Sequence, residues 1–264
     1  MPHVEIDGRR IHYRDGGGGG TPLLLFHAFP FDGRMWEGEI AALRDRFRVV
    51  APDLSGFGQS TVPADPASYS VDRWAEEGRA VLDACGVERA IVGGCSMGGY
   101  VSFAFLRRHP DRVAGLLLVD TRAEADGEEA RAGREASQRE VREGGRDAFL
   151  ARMRGRLLAP ASAADPALVE RIATLMDQPA AGIVGGLEAL KNRPDSTPDL
   201  PKIDVPTLIV VGEADVVTPP ELSERMRAAI PGARLVVLPG AGHLANLEAP
   251  EAFHRALDGL LERG

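Results

Sequence analysis

Ala90-Ile91-Val92-Gly93-Gly94-Cys95-Ser96-Met97-Gly98-Gly99-Tyr100 runs from an apolar strand through a serine straight into a helical stretch. Gly94, Ser96 and Gly98 satisfy G-x-S-x-G. The need for glycine is steric: a serine lifted into the open at a sharp turn requires neighbours without bulky side chains two residues away on either side. The helix that follows aims backbone N–H groups and its positive end at the hydroxyl. As a bare string the pattern also fits a glycine-rich turn, but a strand before it and a helix after it tie it to a nucleophile. It does not fit a dinucleotide fingerprint, because Cys95 stands where the second glycine after Gly93 would fall.

Working outward, short apolar runs recur at Leu23 to Phe26, Arg48 to Ala51, Ala90 to Val92, Val113 to Val119, Thr207 to Val211 and Arg234 to Leu238. Continuous apolarity predicts strands buried on both faces, as in a parallel sheet covered by helices. Helical patterns lie between most of them, at Val71 to Ala84, Gly98 to His109, Glu221 to Ile230 and Pro250 to Leu261. This alternation predicts an α/β fold with a mostly parallel central sheet flanked by helices. Ahead of it, His3 to Ile6 and Arg10 to Tyr13 alternate in polarity around Asp7-Gly8, which predicts a hairpin. Gly16 to Gly20 reads as a flexible loop, since no Lys-Ser or Lys-Thr follows to make a phosphate cradle.

The strand and helix rhythm fails between Thr121 and Lys202. A run dense in charge, Glu124 to Arg156, is followed by Asp165-Pro166 and Gln178-Pro179, where helices can begin. Phe149, Met153 and Leu157 form one apolar stripe, and Leu168, Ile172, Leu175 and Met176 form another. About three amphipathic helices are expected here, inserted above the sheet as a lid, with the charge run as a solvated face. The expected organisation is a core of residues 1–120 and 203–264 with a helical cap of residues 121–202.

Composition narrows the partners. The 264 residues are 44% hydrophobic, enough for one large domain with a small insertion. Acidic residues outnumber basic ones, 39 to 31, for a net charge of −8, so the basic excess that binds nucleic acid is missing. Met1 to Asp15 has no unbroken apolar run of the signal-peptide kind, and no later run approaches the roughly 20 residues of a membrane span. A cytoplasmic location without membrane contact is the expectation. Cys85 should close a helix and Cys95 end the next strand, too far apart for a bridge at about 3.3 Å per strand residue. No His-Glu-x-x-His or clustered cysteines suggest a metal.

A serine hydroxyl needs a base to take its proton. Of six histidines, His3 and His12 fall in the hairpin and His109 and His254 in helices, where each is most simply a surface or helix-end residue. His27 and His243 remain. His243 falls in Pro239-Gly240-Ala241-Gly242-His243, a glycine-rich loop after the last strand, where open α/β sheets collect ligands. The imidazole needs a carboxylate in turn. Asp215 lies just past the strand ending at Val211, Asp120 past the one ending at Val119, and Glu213 and Glu248 are weaker candidates. The chain order Ser96, Asp215, His243 favours Asp215.

These residues carry a resemblance. With His27-Ala28-Phe29-Pro30 and Asp53-Leu54-Ser55-Gly56-Phe57-Gly58-Gln59-Ser60 they make the chain similar, over nearly its whole length, to α/β-hydrolases, above all bacterial carboxylesterases related to cofactor-free haloperoxidases and enol-lactone hydrolases. The resemblance implies that His27 lies in the loop building an oxyanion hole, with the backbone N–H groups of Phe29 and Met97 as donors. The family usually has glycine where this chain has Ala28, and alanine would be strained if the loop needed positive φ there. The block from Asp53 to Ser60 is expected to be a structural turn.

The expected activity is cleavage of a small carboxylic ester or lactone through an acyl-enzyme, with no cofactor. A serine nucleophile rules out haloalkane and epoxide cleavage, since a serine ether, unlike an alkyl ester, cannot be hydrolysed. Perhydrolysis, carbon–carbon bond hydrolysis and a slow-turnover ligand receptor stay open as alternatives, as does the oligomeric state. Phe29, Trp36, Met153, Met176, Ile183 and Leu187 are candidates for the substrate pocket, which would then be apolar and adaptable. Trp36 could equally close the core, and the lid residues could simply hold the lid together.

Overall fold

A computed structural model describes residues 2–260. Eight strands form one sheet: β1 (His3–Ile6), β2 (Arg9–Asp15), β3 (Thr21–Phe26), β4 (Phe47–Pro52), β5 (Ala90–Cys95), β6 (Val113–Val119), β7 (Thr207–Gly212) and β8 (Arg234–Leu238), in the order β1-β2-β4-β3-β5-β6-β7-β8. Strand β2 runs antiparallel to both its neighbours, β1 and β4, while β3 through β8 run parallel. The helices are α1 (Glu37–Ala42), α2 (Val71–Ala84), α3 (Met97–Arg108), α4 (Glu128–Glu140), α5 (Arg146–Arg154), α6 (Pro166–Leu175), α7 (Ala180–Lys191), α8 (Pro220–Ala229), α9 (Ala245–Glu248) and α10 (Pro250–Leu257).

Two-sided burial of the sheet is why its strands read as continuous apolar runs. Leu24, Phe26 and Val92 point into one core layer with Trp74, Val101 and Phe105, while Leu23, Leu25 and Ile91 point into the opposite layer with Trp36, Phe47 and Phe253. Parallel strands then put all their C-terminal ends along one edge, and the loops after β3, β5, β6, β7 and β8 meet there. Cys85 is the C-cap of α2 and Cys95 ends β5, and both are free thiols.

The stretch between β6 and β7 holds four α-helices, α4 to α7, one more than expected. The extra one arises where the charge run breaks at Val141–Gly145, a π-helical turn with Gly144 at φ 94° separating α4 from α5. Asp165 caps α6, with Pro166 in its first turn, and Pro179 is the N-cap of α7. The last helix ends at Leu257 and passes into a 3₁₀ turn, Asp258–Leu260, so it stops short of Leu261, which lies outside the described residues. No described helix is long and apolar enough to cross a membrane.

Candidate active site

Between β5 and α3 the backbone turns at Ser96, whose φ of 52° and ψ of −107° are strained for a residue with a side chain. Neighbours over-determine the turn: Ser96 N–H donates to Val119 O (2.9 Å), and Thr121 Oγ1 donates to Ser96 O (2.8 Å). A Cβ at Gly94 would stand 2.5 Å from the carbonyl carbon of Gly98, and one at Gly98 would stand 2.1 Å from Phe26 O. Both glycines are therefore required by packing against β3. From Ala90 to Phe105, Ser96 is the sole residue not buried.

His243 lies in the loop after β8. Its N–H donates to Leu157 O (2.8 Å), a carbonyl of the inserted segment, and its own carbonyl faces Cys95 Sγ at 3.7 Å, beside the serine turn. Nδ1 lies 2.8 Å from Asp215 Oδ2. With Asp215 ionised, Nδ1 carries the proton, which leaves the Nε2 lone pair to act as base. The Ser96 hydroxyl itself makes no hydrogen bond among the described residues.

The loop after β7 holds the carboxylate rigid. Asp215 Oδ1 accepts from Val217 N–H (2.8 Å) and Thr218 N–H (2.9 Å), and Oδ2 accepts from Thr218 Oγ1 (2.6 Å). Burial alone would push the Asp215 carboxyl up, but hydrogen bonds from His243 and Thr218 outweigh it and hold the group below its ordinary value. For His243 burial favours the neutral ring, yet the Asp215 hydrogen bond and the charges of Asp215, Asp120 and Glu248 raise it above its ordinary value. Thr218 was not anticipated, although Asp215-Val216-Val217-Thr218 has the spacing at which an aspartate accepts from the second and third N–H beyond it.

Asp120, the rival acid, faces elsewhere. It adopts φ 43° at the end of β6, accepts Gly212 N–H (2.8 Å) and Ala245 N–H (3.0 Å) on its two oxygens, and so ties the ends of β6 and β7 to the start of α9. Burial, then the charge of Asp215, raise its carboxyl to about 7. Glu213 accepts Gly240 N–H (3.0 Å), and Glu248 accepts Ala159 N–H (2.9 Å) and Leu244 N–H (3.2 Å), so both brace loops.

His27 is fully buried, and burial lowers its basicity. Its Nε2 accepts Leu54 N–H (3.1 Å) and its Nδ1 lies 2.9 Å from Ala28 O, an arrangement that suits a neutral ring fastening the loop after β3 to the turn after β4. Among the described residues, those other than glycine with positive φ are Asp7, Ser96 and Asp120, so alanine at position 28 carries no strain. Neither Phe29 nor Met97 gives its N–H to a hydrogen bond among the described residues, although both side chains are buried. Two unpaired N–H donors, one of them on the residue that follows a partly exposed serine, are what an oxyanion would need.

The expected turn after β4 is built on Asp53, which is buried and accepts from Arg14 Nη1 (2.7 Å), Gly33 N–H (2.9 Å) and Gln59 N–H (2.9 Å). It also meets His12 Nδ1 at 2.8 Å. His12 is thus a buried partner of a carboxylate rather than a surface residue, because the turn after β4 packs on it: Ser60 Oγ accepts its N–H at 2.9 Å and Asp53 meets its ring. His109 and His254 sit beside helix carboxylates, Glu76 at 3.1 Å and the buried Glu39 at 3.4 Å.

The pocket candidates separate into two groups. Phe29, Ile183 and Leu187 share one core layer with Met97, and the Phe29 ring meets Phe57 at 6.1 Å and Phe149 at 6.5 Å. Trp36 and Met176 belong to the opposite layer. Trp36 is fully buried with its ring 6.3 Å from Phe253, the core-closing place of the two considered for it. Met176 borders a different cavity, of about 420 Å³, together with Arg146 and Asp177. Met153, half-buried, packs against both layers. Among the described residues no group of His, Cys, Asp and Glu is arranged to hold a metal ion.

Known proteins agree with this architecture. A thermophilic esterase from Thermogutta terrifontis, solved with malate bound, superposes with a TM-score of 0.94 at 36% identity, covering 100% of this chain and 99% of that one. The enol-lactonase of Burkholderia xenovorans LB400 superposes at 0.90 with 29% identity, covering 99% and 100%. In sequence, 3-oxoadipate enol-lactonase 2 of Acinetobacter baylyi is 29% identical over 256 residues, 96% of this chain and 93% of the relative. Residues 21–250 match the alpha/beta hydrolase fold, and with the elbow and its neighbouring loops in place the chain belongs to the α/β-hydrolase fold family.

Proposed function

We propose that this hydrolase cleaves a small carboxylic ester or lactone by nucleophilic catalysis at Ser96, with residues 121–202 as the cap over the site. The observation that carries the proposal is a partly exposed serine on a strained turn, together with a histidine whose Nδ1 is engaged by Asp215 at 2.8 Å and whose backbone carbonyl lies 3.7 Å from Sγ of the adjoining Cys95. Likeness to an esterase and to enol-lactonases supports the substrate class.

In the proposed reaction, Ser96 Oγ attacks the substrate carbonyl carbon while His243 Nε2 takes the hydroxyl proton. The carbonyl oxygen becomes an anion held by the N–H groups of Phe29 and Met97. Collapse breaks the acyl–oxygen bond, and His243 returns the proton to the departing alkoxide. Water then attacks the acyl-enzyme with His243 again as base, releasing the carboxylic acid and the free serine. Asp215 holds the ring with Nδ1 protonated and steadies the imidazolium in each half.

The test is a fluorophosphonate probe together with p-nitrophenyl acetate turnover. The wild type should be labelled at Ser96 and turn over, while Ser96→Ala should lose labelling and lower kcat by a factor on the order of 10⁶ at the limit, as in serine proteases. Turnover by the purified Ser96→Ala protein at the wild-type rate would refute the proposal.

A further inference from the structure

The linker between α6 and α7 carries Gln178, a buried amide in the middle of the inserted segment. Its Nε2 donates to Asp32 Oδ2 (2.8 Å) and to Leu175 O (2.9 Å), and its Oε1 accepts Gly58 N–H (2.8 Å). Two of these partners can only accept and the third can only donate, so a single orientation of the amide satisfies them all. Leu175 is local, but Asp32 lies 146 positions away and Gly58 120. One side chain of the insertion thus ties together the loop after β3 and the turn after β4.

Asp32 closes the loop Phe29-Pro30-Phe31-Asp32, whose first N–H is an oxyanion donor in the proposed reaction. Its buried carboxylate also accepts from Arg34 N–H (2.9 Å), Nε (2.9 Å) and Nη2 (2.7 Å). The charge is therefore paired from within the loop, and what Gln178 adds is attachment to the insertion. Within the same loop Phe31 N–H donates to Ala28 O (2.9 Å). The Ala28–Phe29 peptide is planar and trans, so fixing Ala28 O on one side of the plane aims Phe29 N–H on the other. The loop is reached a second time by α7, which begins two residues after Gln178. A Cβ at Gly186 would stand 2.7 Å from the Phe29 ring, and one at Gly182 would fall on Gly56 O in the turn after β4. The helix backbone lies against the ring of Phe29 while the amide ahead of it holds Asp32.

Resting on the hydrolase reading above, we propose that Gln178 is a positioning residue that couples the seating of the cap to the aim of the Phe29 N–H. It touches no reacting atom. Without its contacts Ser96, His243 and Asp215 stay in place while the loop from Phe29 to Asp32 shifts, and a displacement of about 1 Å at a catalytic group costs on the order of a hundredfold in rate.

The experiment measures kcat and KM for p-nitrophenyl acetate, the dissociation constant of butyl trifluoromethyl ketone and the urea midpoint in wild type, Gln178→Met and Gln178→Glu. The ketone reports on the donor: Ser96 Oγ adds to its carbonyl carbon, the hydroxyl proton passes to His243, and the carbonyl oxygen becomes an anion with no leaving group to depart. Gln178→Met keeps the length of the side chain and removes its hydrogen bonds. Gln178→Glu keeps an acceptor for Gly58 N–H but sets a second carboxylate against Asp32. Both should lower kcat roughly tenfold to a hundredfold with KM changed by less than about twofold, and weaken the ketone by the same factor as kcat/KM. In Gln178→Met the rising limb of the pH–rate profile should stay at its wild-type position, since Asp215 and His243 are untouched. Wild-type kcat in either folded variant, a loss confined to KM, a moved limb in Gln178→Met, or ketone affinity that does not follow kcat/KM overturns this inference while the wild type still labels and turns over. Failure of both variants to fold overturns it as well, because the amide would then determine the fold rather than the donor. Absent turnover together with absent Ser96 labelling in the wild type removes the hydrolase reading and this one with it.

Discussion

At the residue scale, one buried cluster of three ionisable groups sets the proposed chemistry. Asp215 and Asp120 both bear on His243, but only Asp215 is within hydrogen-bond reach of the ring, while Asp120 has both oxygens committed to backbone N–H groups. The two carboxylates are pushed apart: Asp215 falls below its ordinary value and Asp120 rises to about 7. His243 rises above its ordinary value, so the sign of its pH dependence can be worked out. Its protonated form is favoured by folding, so its contribution to stability is full below the unfolded value and fades as pH climbs through the folded one. Catalysis needs the opposite form, so kcat/KM should rise with pH along a limb centred above 6.5, the ordinary histidine value. That limb belongs to the coupled cluster rather than to one residue. Asp215→Asn should lower kcat by about 10⁴, the order seen when a triad aspartate is replaced. It should also move the limb to lower pH, and a pH–rate profile of both proteins on a neutral ester checks both. A limb that stays in place would mean Asp215 does not control the ring.

Elements differ in how much of themselves they reveal in sequence. The elbow was legible because its constraint is local: Gly94, Ser96 and Gly98 must occur at a strand-to-helix junction, and the close approach of Gly98 to Phe26 O explains why. Gly98→Ala should therefore cost about 3 kcal/mol, since the obstacle is a β3 backbone carbonyl that cannot swing aside, the high end of overpacking costs. Urea unfolding would measure it, and a loss under about 0.5 kcal/mol would show that β3 yields, since surface-like tolerance is of that size. The inserted helices were less legible. Residues along α4 are mostly exposed, leaving little apolar periodicity to count, and its end depends on Gly144 adopting a left-handed conformation that a charged run does not announce. Trp36 illustrates the same limit from inside the core. Sequence alone leaves it either at the pocket or closing the core, and the choice depends on Phe253 of α10, more than 200 residues away.

Across the whole molecule, long-range polar anchors hold the loops at the sheet edge, and these were the hardest features to foresee. Asp53 shows why: it gathers His12 and Arg14 from β2, Gly33 from the loop after β3 and Gln59 from its own turn, so its partners span 47 positions, from 12 to 59. Nothing in the local sequence distinguishes it from a turn aspartate, and for the same reason His12 looked like a surface residue. Burial alone would raise the Asp53 carboxyl, but His12, Arg14 and the two N–H groups outweigh it and bring the group down to about 2. A depressed carboxyl stabilises the fold above its unfolded value near 4, and that contribution is lost as pH falls through about 2. The difference amounts to about 2 kcal/mol at neutral pH as an order of magnitude. Asp53→Asn should therefore be less stable than wild type at pH 7, and the gap should narrow as acid protonates the wild-type carboxyl. Parallel urea titrations at pH 7, 4 and 2.5 read that convergence directly. Because the same anchor fixes Gly33 and the loop that carries Phe29, the variant should also lose kcat on a neutral ester at pH 7 while keeping its fluorophosphonate labelling at saturating probe. A constant stability gap across the three pH values would instead mean that Asp53 acts through shape rather than charge.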